Sequence, residues 1–389
     1  MVGVLEEEVQ MNKTLNMKTR ITLIAMLLLV GASLHSMAQE NVSSNGVWTA
    51  TPYLSITPDA RAGAMGNCAT ASSPDVYSMY YNPAKYAFLQ DRLAVGMGYT
   101  PMARNSLDWN ASLVHLAAAY KINDRFVMAA TARRLWGDDM TIQWSSATPI
   151  DALGHYQQFG LTISTKDYAF DIAGAARIGD YLSLGVAGRL ICFNLMSNAG
   201  FEDASYALSC DVSGYYQRPL YDGVDLSLGA SVTNIGSKMP YYAFYDNALA
   251  EYLEDDTAMV YVNPLPTTLR FGAAANFDLQ PKQSLAVHAE LWDLLAQSFD
   301  DPVVDFGMGV EYWYNHLLAA RLGYINGKLN RGTSMDVWRT RNNYVTVGAG
   351  LRYKGVGLDA SFMYRFENGL VFEPDYVFKF SFSYGLQGK

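Results

Sequence analysis

Charge is scarce in this chain. Only 17% of its 389 residues are Asp, Glu, Lys or Arg, against about 25% in ordinary soluble domains. The net charge of −9 argues against a general nucleic-acid role. Cysteine is scarcer still. Cys68, Cys192 and Cys210 are odd in number and lack metal-ligand spacing, so neither a full disulfide framework nor a metal site is expected. Cys192 and Cys210 fall on apolar strand faces and read as small hydrophobes. The five histidines are His35, His115, His155, His288 and His316, and no two have metal-ligand spacing. His288 lies two residues from Glu290 and reads as half of a structural pair. No Gly-x-Ser-x-Gly motif occurs, and Gly63-Ala-Met-Gly66 lacks the buried strand and Lys-Ser/Thr end of a phosphate loop. No enzymatic activity and no cofactor are expected.

Long apolar runs are missing as well. Past the first forty residues there is no stretch of 18 apolar residues, so no membrane-spanning helix is expected. Yet 50% of the residues are hydrophobic and 13% aromatic, while the mean hydropathy is close to zero. Strands with one face in lipid and one in water average this way. The clearest case is Tyr376-Val-Phe-Lys-Phe-Ser-Phe-Ser-Tyr384. A strand sends alternate side chains to opposite faces, so one face here is wholly aromatic and the other mostly polar. The 27 tyrosines also suit membrane interfaces, where the ring is buried and the hydroxyl wet.

Residues 18–38 have the layout of a signal peptide. Lys18 and Arg20 precede the apolar run Ile21 to Leu34, and Ser36-Met37-Ala38 supplies the small residues before a cut at Gln39. Glu6, Glu7 and Glu8 do not suit the positive end of such a peptide, so translation is expected to begin at Met11 or Met17. Residues 1–38 thus form the export segment, 39–90 an N-terminal segment and 91–389 a barrel.

Alternating segments are expected near 92–101, 109–120, 125–136, 168–179, 181–196, 204–217 and 223–235. Seven more fall near 266–278, 283–297, 303–315, 317–326, 343–353, 355–366 and 376–385. Short connections (Lys121 to Arg125, Gly179-Asp180, Asn315-His316, Lys354-Gly355) alternate with long ones (137–167, 236–265, 327–342). Fourteen strands with short turns at one end and long loops at the other describe an all-β membrane protein, a single 14-stranded antiparallel transmembrane β-barrel in the outer membrane. Lipid is then its first partner. Inward positions carry both signs: Asp171, Arg177, Arg189, Asp211, Arg270, Glu290, Asp305, Glu311, Arg321, Arg352, Asp359 and Arg365. Mixed signs fit a lumen filled by ion pairs better than a selective ion path, which would favour one sign.

Residues 39–90 do not alternate. They carry Pro52, Pro58, Pro74 and Pro83, together with Tyr53, Leu54, Ile56, Met65, Tyr80, Tyr81, Phe88 and Leu89. So much apolar surface would be awkward in water, which favours a plug or rim-packed segment over a free periplasmic tail. The connection 236–265 gathers Tyr241, Tyr242, Phe244 and Tyr245 before an acidic run, and is the candidate partner-binding loop. A cap folded over the barrel mouth is the plainer reading of it.

Thr51-Pro-Tyr-Leu-Ser-Ile-Thr-Pro-Asp-Ala-Arg-Ala-Gly-Ala-Met-Gly66, then Ser73-Pro-Asp-Val-Tyr-Ser78 and Tyr80-Tyr-Asn-Pro-Ala-Lys-Tyr-Ala-Phe88, resemble the start of the PorV (LptO) family of the type IX secretion system of Bacteroidetes. That family is similar to the fourteen-stranded FadL barrels, as Asn82-Pro83-Ala84 and Asn234-Ile-Gly236 are. The related PorQ proteins share parts of the layout. Arg61, Gly63, Gly66, Asn82, Pro83 and Ala84 carry the motif. The resemblance implies binding to the translocon barrel and acceptance of cargo through its C-terminal signal domain. It also implies delivery to an attachment complex that contains a sortase-like peptidase, a role the family itself does not fill. A FadL-like transporter of hydrophobic small molecules is the alternative.

Overall fold

The computed structural model describes residues 49–104, 109–137, 140–145, 158–163, 166–193, 205–243, 259–295, 304–327, 342–366 and 376–387. The export segment at 18–38 lies outside the described residues. Fourteen antiparallel strands close on themselves. They are β1 Leu93–Arg104, β2 Trp109–Lys121, β3 Phe126–Gly137, β4 Lys166–Ile178, β5 Leu182–Phe193, β6 Ser205–Tyr221 and β7 Val224–Gly236. The second half comprises β8 Thr268–Gln280, β9 Gln283–Leu294, β10 Val304–Tyr314, β11 Leu318–Gly327, β12 Asn342–Tyr353, β13 Val356–Phe366 and β14 Tyr376–Leu386. Each strand pairs with its sequence neighbours, and β14 returns to β1. All fourteen expected segments are strands of this barrel.

Period two governs much of the wall. Along β5, exposed Leu182, Leu184, Val186, Gly188 and Leu190 alternate with buried Ser183, Gly185, Ala187 and Arg189. The exposed side is the lipid side, and its tyrosines gather at the strand ends. Tyr120, Tyr181, Tyr221, Tyr314 and Tyr353 stand at the short-turn end, Tyr206 and Tyr376 at the other. This is the aromatic girdling of an outer-membrane barrel. The row Tyr376, Phe378, Phe380, Phe382 faces outward, and Phe362 of β13 packs against Phe378 with ring centroids 5.0 Å apart. Cys210 is exposed on the same outer surface and Cys192 half-buried, as expected of small hydrophobes.

The connections differ sharply at the two ends. The turn between β10 and β11 holds Asn315 and His316 in the left-handed region, at φ 54° and 51°, the tight geometry that suits twisted hairpins. At the opposite end, two of the long connections expected as loops contain short hairpins: Met140–Ser145 with Gln158–Ile163, and Met239–Ala243 with Met259–Asn263. Alternation over five or six residues gives these stretches strand character. They pair with each other, outside the barrel ladder.

Small residues line the inner wall. Ala117, Ala119, Ala129, Ala173, Ala175 and Ala187 are buried, and Val76, Tyr77, Met79, Tyr86, Phe88 and Leu89 of the preceding segment pack among them. Large side chains between Val76 and Leu89 pack against this small-residue wall. Helix α1 (Ala60–Ala64) and single 3-10 turns at Pro52–Ser55, Ser78–Tyr80 and Pro83–Phe88 give that segment its shape. Among the described residues no helix is long and apolar enough to cross a membrane.

Candidate functional site in the barrel interior

The segment before β1 runs from one mouth of the barrel to the other. At its start, the Ala50 amide donates to Pro264 O in the connection before β8, and the Tyr53 hydroxyl donates to Tyr168 O near the start of β4. Both contacts lie at the end carrying the long connections. At its finish, the Arg92 amide bonds Leu386 O at the short-turn end, and β1 begins.

Arg61 is the centre of the middle stretch. Asp59 caps α1 by accepting from the Ala62 amide at 2.8 Å, which sets the helix and aims Arg61 at β10. Its Nε and Nη2 reach Glu311 at 3.0 and 2.8 Å. Its Nη1 reaches Asp75 at 3.0 Å and Ser73 O at 3.2 Å, and Nη2 also reaches Ser73 Oγ at 2.7 Å. A guanidinium has five N–H donors, so every one is used. The chain of charges continues along the wall. Arg321 bonds Glu311 at 2.7 Å and Asp359 at 2.8 Å, and Arg352 bonds the other oxygen of Asp359 at 2.7 Å. Asp75, Arg61, Glu311, Arg321, Asp359 and Arg352 therefore alternate in sign and balance. The expectation of a lumen held by ion pairs holds here.

Gly66 follows α1 at φ +64°. Its amide donates to Thr346 Oγ1 at 3.1 Å. A Cβ here would stand 2.5 Å from Met308 O and 2.6 Å from Tyr324 O, so both conformation and space require glycine. Gly63 sits under the Lys379 side chain, whose Nζ donates to Thr57 O at 2.8 Å.

Asn82-Pro83-Ala84 builds the last turn. Asn82 Oδ1 accepts from the Ala84 amide at 3.0 Å, the capping geometry that Asn favours. Its Nδ2 donates to Thr70 O at 3.0 Å and Gly214 O at 2.9 Å, tying the segment to itself and to β6. Pro83 opens the turn, where its missing N–H is harmless. Ala84 lies against Gly185 of β5, where a Cβ would come within 2.3 Å of the Ala84 amide. Ser213 and Ser183 bond the Ala84 N–H and C=O at 3.0 and 2.7 Å.

Two further clusters were not foreseen as clusters. Glu290 accepts from the Thr70 amide and hydroxyl at 2.9 and 2.7 Å and from Arg270 at 2.9 Å. Its expected partner His288 is buried on the same face with neither ring nitrogen hydrogen-bonded among the described residues, because Thr70 and Arg270 occupy the carboxylate. Facing the same small cavity as Arg270, Arg189 bonds Asp171, Asp211 and Asn234. Asn234 stands at φ 59° beside a bulge in the β6–β7 ladder. A signal for these clusters existed in the inward Arg, Asp and Glu of the strands. Their partners did not follow from spacing.

Of the candidate partner-binding residues, Tyr241 and Tyr242 belong to the short hairpin strand, opposite Tyr261 and Val260. Phe244 and Tyr245 lie outside the described residues. A cavity of about 440 Å³ lies at the short-turn end, lined by Asp75, Tyr77, Trp313, Arg352, Lys354 and Asp359 among others. No group of three or more metal-ligating side chains occurs among the described residues.

A sequence model of the family described as Type IX secretion system protein PorV matches residues 38–301, more than half of the chain. No curated protein matches in sequence. Among solved structures, the fold is similar to the Pseudomonas putida toluene transporter TodX, with TM-score 0.53 and 13% identity over 86% of this chain and 99% of that one. The Ralstonia pickettii toluene transporter TbuX gives TM-score 0.50 and 13% identity over 85% of this chain and 98% of that one. A Pseudomonas aeruginosa FadL homologue also matches, at TM-score 0.48 and 14% identity over 85% and 98%.

Proposed function

Because the chain belongs to the PorV family of type IX secretion system proteins, we propose that it acts as a non-enzymatic binding barrel of that system in the outer membrane. It receives cargo by the C-terminal signal domain at the translocon barrel and passes it to the attachment complex with the sortase-like peptidase. Residues 49–92 serve as a plug, fixed in the lumen by the buried charges of Arg61, Glu311 and Glu290. The supporting observation is the asymmetry of the barrel. All the long connections leave one mouth, and the plug is anchored there, to one of them through Ala50 and to the start of β4 through Tyr53. A rigid scaffold that presents loops at one end is a common basis for recognition. Transfer then needs only a difference of affinity between the two complexes, tenfold for each ~1.4 kcal/mol.

Transport of hydrophobic small molecules is the second reading, favoured by the likeness in fold to TodX. The polar interior weighs against it. An apolar solute would have to pass the paired charges around Arg61 and Arg189, and the cavity near Trp313 is lined by Asp75, Arg352 and Asp359.

Deletion of the gene tests the proposal. Proteins carrying C-terminal signal domains are expected to be lost from the cell surface and to return on complementation. Their normal appearance at the surface without this protein would sink the secretion reading. A growth defect confined to long-chain fatty acids would favour the second one.

A further inference from the structure

A small cavity of about 10 Å³ lies between the plug and the barrel wall. The plug brings Ser55 and Tyr80 to it, and the wall brings Arg133 of β3, Arg189 of β5 and Arg270 of β8. Three guanidiniums thus face a space with room for a single water or a monoatomic ion. None of the residues lining it is acidic. The carboxylates that pair with Arg189 and Arg270, namely Asp171, Asp211 and Glu290, stand outside the lining. The cavity therefore meets the cationic side of each pair.

Arg133 is the least satisfied of the three. Its side chain is 1% exposed, and Nε, Nη1 and Nη2 have no hydrogen-bond partner among the described residues. A guanidinium carries five N–H donors and no acceptor, so every donor of Arg133 is unmet. The Asp171 carboxylate stands 3.8 Å away, beyond hydrogen-bond reach, because Thr131 and Arg189 already hold it. The Tyr80 ring lies 5.0 Å from the Arg133 guanidinium carbon and 5.7 Å from that of Arg270, so one plug ring faces two cations. His115, the register neighbour of Arg133 on β2, has neither ring nitrogen bonded and supplies no acceptor. A buried polar side chain left in this way requires an ordered water or an ion. Water fits poorly, since it must also place two protons and the guanidiniums accept none. An anion accepts from several donors at once and donates nothing. The volume leaves no room for a polyatomic one.

We propose that this cavity is a halide site, taken by chloride, which fastens the plug to strands β3, β5 and β8. The ion accepts N–H bonds from Arg133 and is attracted by Arg189 and Arg270, while Tyr80 keeps two of these cations against the plug. Ser55 and Tyr80 belong to the plug and the arginines to the wall, so the site is complete only when the plug is seated. Binding to the seated state alone stabilises that state by mass action. The inference does not depend on cargo transfer, so a failed secretion assay leaves it standing and its own failure leaves that assay unaffected.

Two measurements on the whole protein, extracted from outer membranes in detergent, test it. Thermal unfolding is followed by circular dichroism in sodium chloride and in sodium gluconate at equal ionic strength, so that screening is the same in both. We expect a midpoint several degrees higher in chloride, rising with chloride concentration and then levelling off. Arg133→Met should bring the two media together, while Arg134→Met, on the exposed face of the same strand, keeps the difference. Equal midpoints for the parent protein, or a difference that survives Arg133→Met, overturn the site. Crystals of the parent protein grown in sodium bromide give a reading that does not need the variant to fold. An anomalous bromine peak beside the Arg133 guanidinium supports the proposal. Water alone in the cavity, or bromide found only on the protein surface, overturns it.

Discussion

Arg61 and Glu311 form a two-pronged, buried ion pair between residues 250 positions apart in sequence. One lies in helix α1, the other on the inner face of β10. The pair ties the segment before β1 to a strand of the barrel's second half. Each end has a second charged partner, but Arg321 beside Glu311 is buried whereas Asp75 beside Arg61 is partly exposed.

That inequality can be measured. Glu311→Leu takes a carboxylate from two guanidiniums at once, leaving Arg61 with Asp75 and Arg321 with Asp359, whereas Arg61→Met leaves Glu311 its bond to Arg321. Removing one partner of a buried pair costs about 3–5 kcal/mol. We expect Glu311→Leu to lie at the upper end and Arg61→Met below it. The readout is the temperature at which the compact band disappears on an unheated-to-heated gel series. Equal shifts for the two variants would contradict the load assigned to Glu311.

Glycine positions separate space from composition. At Gly66 a methyl group meets the Met308 and Tyr324 carbonyls at φ +64°, and Gly66→Ala is expected to cost several-fold more than an ordinary surface change. Gly188 faces lipid with nothing within 4 Å, so Gly188→Ala should stay within about 0.5 kcal/mol of the parent. Similar yields of compact barrel for both variants would show that the segment does not lie against β10 and β11 as described.

Asn82 combines a cap with two donated bonds. Loss of the cap costs about 1 kcal/mol, and each buried carbonyl left without a donor about 1–3 kcal/mol. Asn82→Ala should therefore lower stability by several kcal/mol in total. Asn82→Asp keeps the capping oxygen but has no donor for Thr70 O and Gly214 O, and we expect it not to rescue. Full recovery with Asp would mean that only the cap matters.

The lipid face should respond to depth. Phe380→Arg lies inside the aromatic row, and Tyr376→Arg at its end. Charges near the bilayer midplane cost about 2–4 kcal/mol and those near an interface about 0–1. The refolding midpoint in urea with lipid vesicles should fall much further for Phe380→Arg. An equal fall would place Tyr376 deeper than the girdle assigned to it.

Much of the barrel is legible in the chain because alternation is local. Leu182 to Leu190 or Tyr376 to Tyr384 show their two faces within nine residues, so strand number, wall orientation and the short-turn pattern all follow from neighbours in sequence. The Asn82-Pro83-Ala84 turn is equally local in its cap. The partners of the inward charges are not local. His288 stands beside Glu290 in sequence, yet Thr70 and Arg270 hold that carboxylate. Two hairpins hid in the long connections because five-residue alternation is too short to distinguish from a loop.

By itself, then, the sequence determined that this is an outer-membrane barrel of fourteen strands, and which face of each strand meets lipid, since those properties depend on period two and on runs of about ten residues. Tertiary structure alone decided that Arg61 meets Glu311 and that Gly66 lies beneath two barrel carbonyls. These depend on closure, which brings residues hundreds of positions apart within hydrogen-bond distance and leaves the choice of partner to shape and space rather than to spacing along the chain.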